Sequence, residues 1–269
     1  MNRFIFILVL SSIASMGFLS FISGKKTTNP PNSSPKNLTS LNKEKAKGVA
    51  VMELFTSQGC SSCPPADDLL RGVAKQENVF ALSFHVTYWN RLGWQDSFSQ
   101  KIFDERQYDY SSHFNTQNIY TPQAIINGTI EFVGSRKSQV DKYIHQAINT
   151  PCKIDVTLSK VLKDNKFAIH YAFKSQTESD KIDLENTQLN MALVESNLET
   201  KIQNGENTGR TLKHDNVVRY FNTTNASHTE GVLESRILDN WQIKNCAVIV
   251  FLQHKKTRHV LGAAKINLN

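Results

Sequence analysis

The chain is 269 residues long and carries a formal charge of +7, with 39% of its residues hydrophobic. The charge is concentrated near the start: Arg3 holds one unit, six lysines against Glu44 between residues 25 and 47 hold five, and one remains for everything after Lys47. A near-neutral folded part argues against nucleic acid as a partner, because that affinity rests on clustered cations neutralising phosphates.

Met1-Asn2-Arg3 precedes an apolar run from Phe4 to Ile22 broken only by Ser, Ala and Gly, the pattern of an export signal. As a helix the run is roughly 28 Å long, so residues 1–24 read either as a signal peptide or as a membrane anchor through residues 4–22. Residues 25–47, rich in Ser, Thr, Asn, Pro and Lys, bury too little apolar surface to order themselves and read as a disordered basic linker. Its lysines either keep it solvated or face an anionic membrane surface. The expected location is therefore the periplasm or cell envelope.

From Gly48 onward the chain is long enough for one large domain or two ordinary ones, and two are expected. Gly48–Phe55 (GVAVMELF) reads as a buried strand, followed by the turn Thr56-Ser57-Gln58-Gly59, then Cys60-Ser61-Ser62-Cys63, Pro64-Pro65 and a helix with proline and acids in its first turn. Val79–Val86 reads as the next strand, which makes a parallel strand-helix-strand unit. An aromatic stretch, Tyr88 to Trp94, leads to a helix from about Ser97 to Ser111. Thr121-Pro122 then precedes two short strands joined at Asn127-Gly128, a strong hairpin signal, and Ser138–Ile148 closes this half as a helix. After Pro151 come seven short, often alternating segments separated by polar turns, the last two being Cys246–His254 and Val260–Leu268. Their spacing predicts an antiparallel sandwich. The expected fold is thus an α/β domain over 48–150 followed by an all-β, immunoglobulin-like sandwich over 151–269.

A C-x-x-C between a buried strand and a helix is a reactive dithiol, because helix amides and the helix dipole stabilise a thiolate there. Cys60 is the candidate nucleophile and Cys63 the resolving thiol. As a passive staple the pair contributes only about 2 kcal/mol by loop entropy, whereas a Cys152–Cys246 bond contributes roughly 4.6, so the second pair is the structural disulfide candidate. Pro122 is the candidate substrate-shaping residue: a cis Thr121–Pro122 bond beside a dithiol leaves the preceding backbone free to pair with an extended chain. His85 is a candidate for tuning protonation, with Thr121 beside the proline. A rival reading places Cu(I) on Cys60, Cys63 and His85. No organic cofactor is implied.

The order of strand, C-x-x-C helix, strand, helix, Thr-Pro, hairpin and helix resembles the thioredoxin superfamily across Gly48–Asn149. More narrowly, ELFTSQGCSSCPPAD (Glu53–Asp67), HVTYWNRLGW (His85–Trp94), Arg106-Gln107, YTPQAIING (Tyr120–Gly128) and GENTGRTLKHDNVVR (Gly205–Arg219) resemble the exported bacterial family called domain of unknown function 1223. The chain departs from that family's pattern where Thr87 and Asn90 stand in place of acids, and from thioredoxins proper in having Gly59 before the dithiol and Ser61-Ser62 inside it. The resemblance implies a thioredoxin-like first domain and a thiol-disulfide oxidoreductase acting on protein thiols or disulfides of the cell envelope, with Glu53 as a candidate for tuning protonation in the place of the thioredoxins' buried acid unless strand alternation points it elsewhere. A binding module with a non-catalytic dithiol is the alternative. The Gly205–Arg219 stretch reads either as a turn that fixes the sandwich or as a polar cluster facing the dithiol or a partner.

Overall fold

The computed structural model describes residues 48–116, 118–163, 166–177 and 181–269. The signal or anchor and the linker expected before Gly48 lie outside the described residues. No helix among the described residues is long and apolar enough to cross a membrane.

The first half runs β1 (Ala50–Thr56), α1 (Pro64–Val73), β2 (Val79–His85), α2 (Lys101–His113), β3 (Gln123–Ile126), β4 (Ile130–Val133) and α3 (Lys137–Asn149). Every position of β1 is buried, as a strand covered on both faces requires. Ala50, Met52 and Leu54 pack with Leu70 of α1 and with Val140 and Ile144 of α3; Val51 and Phe55 turn to Phe103 and Tyr110 of α2. β1 pairs parallel with β2 and antiparallel with β3. The β3–β4 loop spans residues 127–129, with Asn127 (φ 48°) and Gly128 (φ 71°) both in the left-handed region that Asn and Gly tolerate best.

The second half runs β5 (Ile154–Lys163), β6 (Lys166–Ser175), β7 (Thr187–Glu195), β8 (Leu198–Lys201), β9 (Thr211–His214), β10 (Val217–Asn225), β11 (Glu230–Arg236), β12 (Cys246–His254) and β13 (Val260–Asn267). The expected division into a thioredoxin-like α/β domain and a separate immunoglobulin-like sandwich is not what forms. One mixed sheet of eight strands, in the order β13-β12-β7-β10-β2-β1-β3-β4, runs through both halves. The seam lies between β10 and β2, where Val217 pairs parallel with Ser83. Asn216 (φ 51°) secures it, its carbonyl accepting from Ser83 N–H and its side-chain amide donating to Ala81 O, both at 2.9 Å.

The core crosses the seam as well. Phe55, Phe84 and Phe103 share one cluster with Val194, Phe221 and Phe251. Within it Arg106 of α2 donates to Glu53 of β1 at 2.5 and 2.9 Å, Tyr110 donates to the same carboxylate at 2.6 Å, and Gln253 of β12 donates to Tyr110 Oη at 2.9 Å. On the opposite face of β7 and β12, Leu189, Met191 and Leu193 pack with Val248 and Val250 against Phe167 and Ile169 of a three-stranded sheet, β11-β6-β5. That layer alone has the sandwich character expected of the whole second half.

Candidate functional site

β1 ends at Thr56, and the turn that follows delivers Cys60 and Cys63 to the start of α1. Cys63 is the N-cap residue, Pro64 occupies the first turn, and the Cys63 carbonyl accepts from Ala66 and Asp67 N–H at 2.8 and 3.2 Å. Cys60 and Cys63 are joined in a disulfide. Both cysteines are 0% exposed, whereas Ser61 and Ser62 between them face solvent. Cys60 Sγ lies 3.3 Å from Ser62 Oγ.

The Thr121–Pro122 bond is cis. It lies at the dithiol end of the sheet, because Gln123, the next residue, pairs with Phe55 near the end of β1. Trp89 connects the two segments: its indole N–H donates to Thr121 Oγ1 at 2.7 Å, and its Cβ stands 3.3 Å from where a side chain on residue 59 would begin. Glycine at position 59 is what lets the tryptophan come so close.

Beneath α1 lies a buried polar layer whose members sequence reasoning names only in part. His85 is among the candidates it gives; Asp67, Asp96, Gln58 and His214 are not. Thr56 and His85 are register partners on β1 and β2 and therefore share the face under α1. His85 Nδ1 is 2.7 Å from Asp96 Oδ2, and that carboxylate also accepts from Gln58 N–H at 2.8 Å. Burial alone pushes His85 down, but the Asp96 charge and hydrogen bond carry its pKa above the ordinary value. Burial likewise opposes the Asp96 charge, and His85 with two backbone N–H groups holds its pKa below the ordinary value. The two form a buried ion pair.

Asp67, on the first turns of α1, behaves oppositely: desolvation by burial outweighs the attraction of His85 and raises its pKa to about 7. Burial, with the nearby His85 charge, depresses His214 to about 3, so that ring is neutral and its Nε2 faces the Gln58 amide nitrogen at 3.4 Å. Thr56 Oγ1, Asp67 Oδ1, His85 Nε2 and His214 Nδ1 are buried polar atoms with no hydrogen-bond partner among the described residues. Such groups cost folding free energy, and four of them, with perturbed titration among their residues, are concentrated beneath the helix that the dithiol opens.

The Asp67 shift has a measurable consequence. A carboxyl with a folded pKa of about 7 instead of 3.8 keeps its proton in the folded chain after the unfolded chain has lost it, so stability falls as pH rises between those values. Asp67→Asn is expected to flatten that fall and to be the more stable chain at pH 8 by on the order of 4 kcal/mol, at about 1.4 kcal/mol per pH unit. Denaturant titrations from pH 4 to 8 check this; parallel stability curves for the two chains would contradict it.

The second half of the chain reaches the dithiol through the loop between β8 and β9. Asn207 Nδ2 donates to Gln58 O and Cys60 O at 2.9 and 3.0 Å, and Glu206 Oε2 accepts from Ser61 N–H and Oγ–H at 3.0 and 2.7 Å. The Gln58 side chain receives Trp94 Nε1–H at 2.9 Å and donates to Thr200 Oγ1 at 3.0 Å. Of the two readings of Gly205–Arg219, this stretch therefore both shapes a turn and faces the dithiol.

Other candidates sit elsewhere. Glu53 points to the α2 face, away from α1, and is held by Arg106 and Tyr110. Cys152 and Cys246 are not joined, contrary to expectation. Cys246 opens β12, whereas Ile154 O, close after Cys152, lies against Gly262, which pairs with Leu252 six residues further along that strand. Six residues of strand span about 20 Å, far beyond the Cα separation a disulfide allows. Burial pushes the Cys246 thiol up to about 11, and it donates to Gln242 O at 3.3 Å. Cys60, Cys63 and His85 form no cluster of metal donors among the described residues; the sulfurs are bonded to each other and His85 Nδ1 to Asp96. Thr87 N–H and Oγ–H donate to the Asp104 carboxylate, and Asn90 Oδ1 accepts from Asp96 N–H at 3.1 Å. The two departures from the family's acids thus have structural partners.

A family profile described as "Protein of unknown function (DUF1223)" matches residues 51–253, a span that contains the dithiol, the cis-proline and the β8–β9 loop. The chain belongs to the DUF1223 family. Among solved structures, this DUF1223 chain is similar to an X-ray structure of an Agrobacterium tumefaciens protein, with 25% identity, a TM-score of 0.62, and 84% of this chain and 97% of that one covered. It is also similar to HBP35 of Porphyromonas gingivalis, with 15% identity, a TM-score of 0.60, and 83% of this chain and 76% of that one covered. The second likeness is one of fold alone. No curated protein matches this DUF1223 chain.

Proposed function

We propose that this chain is an exported thiol-disulfide exchange protein of the cell envelope, acting on protein thiols or disulfides through Cys60 and Cys63 without an organic cofactor. The observation that carries the reading is the disulfide at the start of α1 with a buried carboxyl, Asp67, titrating near neutrality on the same helix. Around the dithiol the chain resembles the thioredoxin superfamily in its strand, C-x-x-C helix and cis-proline, although here they belong to one sheet shared with the second half.

In the oxidised form a substrate thiolate attacks Cys60 Sγ, a new S–S bond forms, and the Cys60–Cys63 bond breaks to release Cys63 as a thiolate that takes up a proton. A second substrate thiolate then attacks the mixed disulfide, the substrate leaves oxidised, and both cysteines are left reduced. The reverse sequence reduces a substrate disulfide. Asp67, whose N–H bonds the Cys63 carbonyl, exchanges the proton, with the His85–Asp96 pair behind it. Ser62 Oγ–H is placed to stabilise the Cys60 thiolate. Pro122 shapes the contact with an extended substrate.

The complete burial of both sulfurs favours a second reading, an envelope binding module whose dithiol is structural. Equilibration of the full chain with a glutathione redox buffer separates the two. A potential above about −300 mV with reversible exchange supports the catalytic reading; a lower one without exchange supports the structural reading.

A further inference from the structure

The dithiol presents its serines to solvent but neither cysteine. Against it lies the β8–β9 loop, a preformed unit closed on itself: Ile202 N–H and Gly209 N–H pair with Arg210 O and Ile202 O at 2.9 Å each, and Thr208 Oγ–H donates to Gly205 O at 2.6 Å. Gly205 and Gly209 have φ of 80° and 82°, a conformation that favours glycine. Two consecutive side chains of this loop hold the dithiol segment. Asn207 occupies the carbonyls of Gln58 and Cys60, and Glu206 occupies the N–H of Ser61. Arg210 Nη1 donates to Asn207 Oδ1 at 2.8 Å and fixes the direction in which the amide points. Gln58 O, Cys60 O and Ser61 N–H are main-chain acceptors and a donor of the kind a polypeptide backbone pairs with, and the loop occupies all three.

We propose that Glu206 and Asn207 make this loop a specificity-determining lid, which shields Cys60 and Cys63 when closed and yields to a polypeptide that replaces its hydrogen bonds to Gln58, Cys60 and Ser61. The inference rests on the exchange reading of the site. It deepens that reading by naming the substrate class, an extended chain able to offer main-chain donors and acceptors in place of the two side chains. A small thiol has no such groups and reacts only when the lid opens unaided.

The test is the rate at which dithiothreitol reduces the Cys60–Cys63 bond in the full-length chain, in Asn207→Ala and in Glu206→Ala. Dithiothreitol supplies both electrons and leaves as its cyclic disulfide. Loss of the two Asn207 bonds is expected to accelerate reduction about tenfold or more, and loss of Glu206, a surface change that leaves folding intact, about threefold. Alkylation of the buried Cys246, followed on its own peptide, reports global loosening and is expected not to change. Equal reduction rates in all three chains, or acceleration matched by faster Cys246 alkylation, would overturn the lid. The glutathione equilibrium is read separately: a lid without exchange sinks the function and leaves the lid, and exchange at equal rates does the reverse.

Discussion

A Cys63→Ser chain is expected to lose exchange turnover completely and to accumulate one covalent partner per molecule through Cys60. The expectation follows from the positions of the two sulfurs. Cys63 is built into the helix as its N-cap, with its carbonyl already bonded to two helical amides, whereas Cys60 belongs to the preceding turn beside the exposed serines. In the proposed exchange Cys60 is the sulfur that an incoming group attacks and Cys63 the one that releases it. Without Cys63 the mixed disulfide has no internal nucleophile to resolve it. Non-reducing electrophoresis of the envelope fraction, with Cys60→Ser as the control, measures the effect. Adducts that form through Cys63 in the Cys60→Ser chain, and not through Cys60, would reverse the assignment.

Arg106→Ala is expected to cost about 3–5 kcal/mol of stability, the largest loss of any single change considered. The guanidinium is nearly buried and bonds the 1% exposed Glu53 carboxylate twice; removing it leaves a charge in a core that cannot solvate it. It also stands 4.5 Å from the Phe221 ring centroid and 5.2 Å from that of Tyr110, so packing is lost along with charge. Because Phe221 and Gln253 come from the second half of the chain, the damage should reach both halves and leave a single unfolding transition. A double change, Glu53→Leu with Arg106→Met, removes both charges and should recover most of the loss. Urea titration measures all three chains. Two separate transitions, or a loss below about 1 kcal/mol in Arg106→Ala, would contradict this view of the shared core.

The sequence makes local units plain and their assembly much less so. GVAVMELF, the C-x-x-C and the paired prolines announce a strand and a helix start, and both occur; Asn127-Gly128 gives the hairpin turn with both residues at positive φ. Which sheet a strand joins is decided by its edges, which period and propensity do not report. One signal is nonetheless present. NMALVE in β7 and CAVIVFLQ in β12 are buried throughout, the pattern of central strands covered on both faces, whereas β5 and β11 of the three-stranded layer alternate as sandwich strands with one wet face do. Leu212–Phe221 reads as one strand, yet Asn216 adopts the left-handed conformation and divides it into β9 and β10. That break is what lets the amide of Asn216 grip β2.

The candidate site is legible where its chemistry is written in adjacent residues, as in Cys60, Cys63 and Thr121-Pro122. It is not legible where the partners are distant in the chain. Asp67 reads as an ordinary acid in a first helical turn, and only the fold reveals that it is buried near His85. Asn207 lies 147 residues from the carbonyl of Cys60 that it holds. The entropy argument for a Cys152–Cys246 bond fails because loop length says what a bond would contribute, not whether the strand register lets the sulfurs meet.

The most direct measurement is the dithiothreitol-driven reduction of a disulfide-containing protein with catalytic amounts of the full-length chain. Multiple turnovers per chain are expected above the uncatalysed rate, faster in Asn207→Ala and absent in Cys60→Ser. No acceleration by either the native chain or Asn207→Ala would contradict a working dithiol at the head of α1.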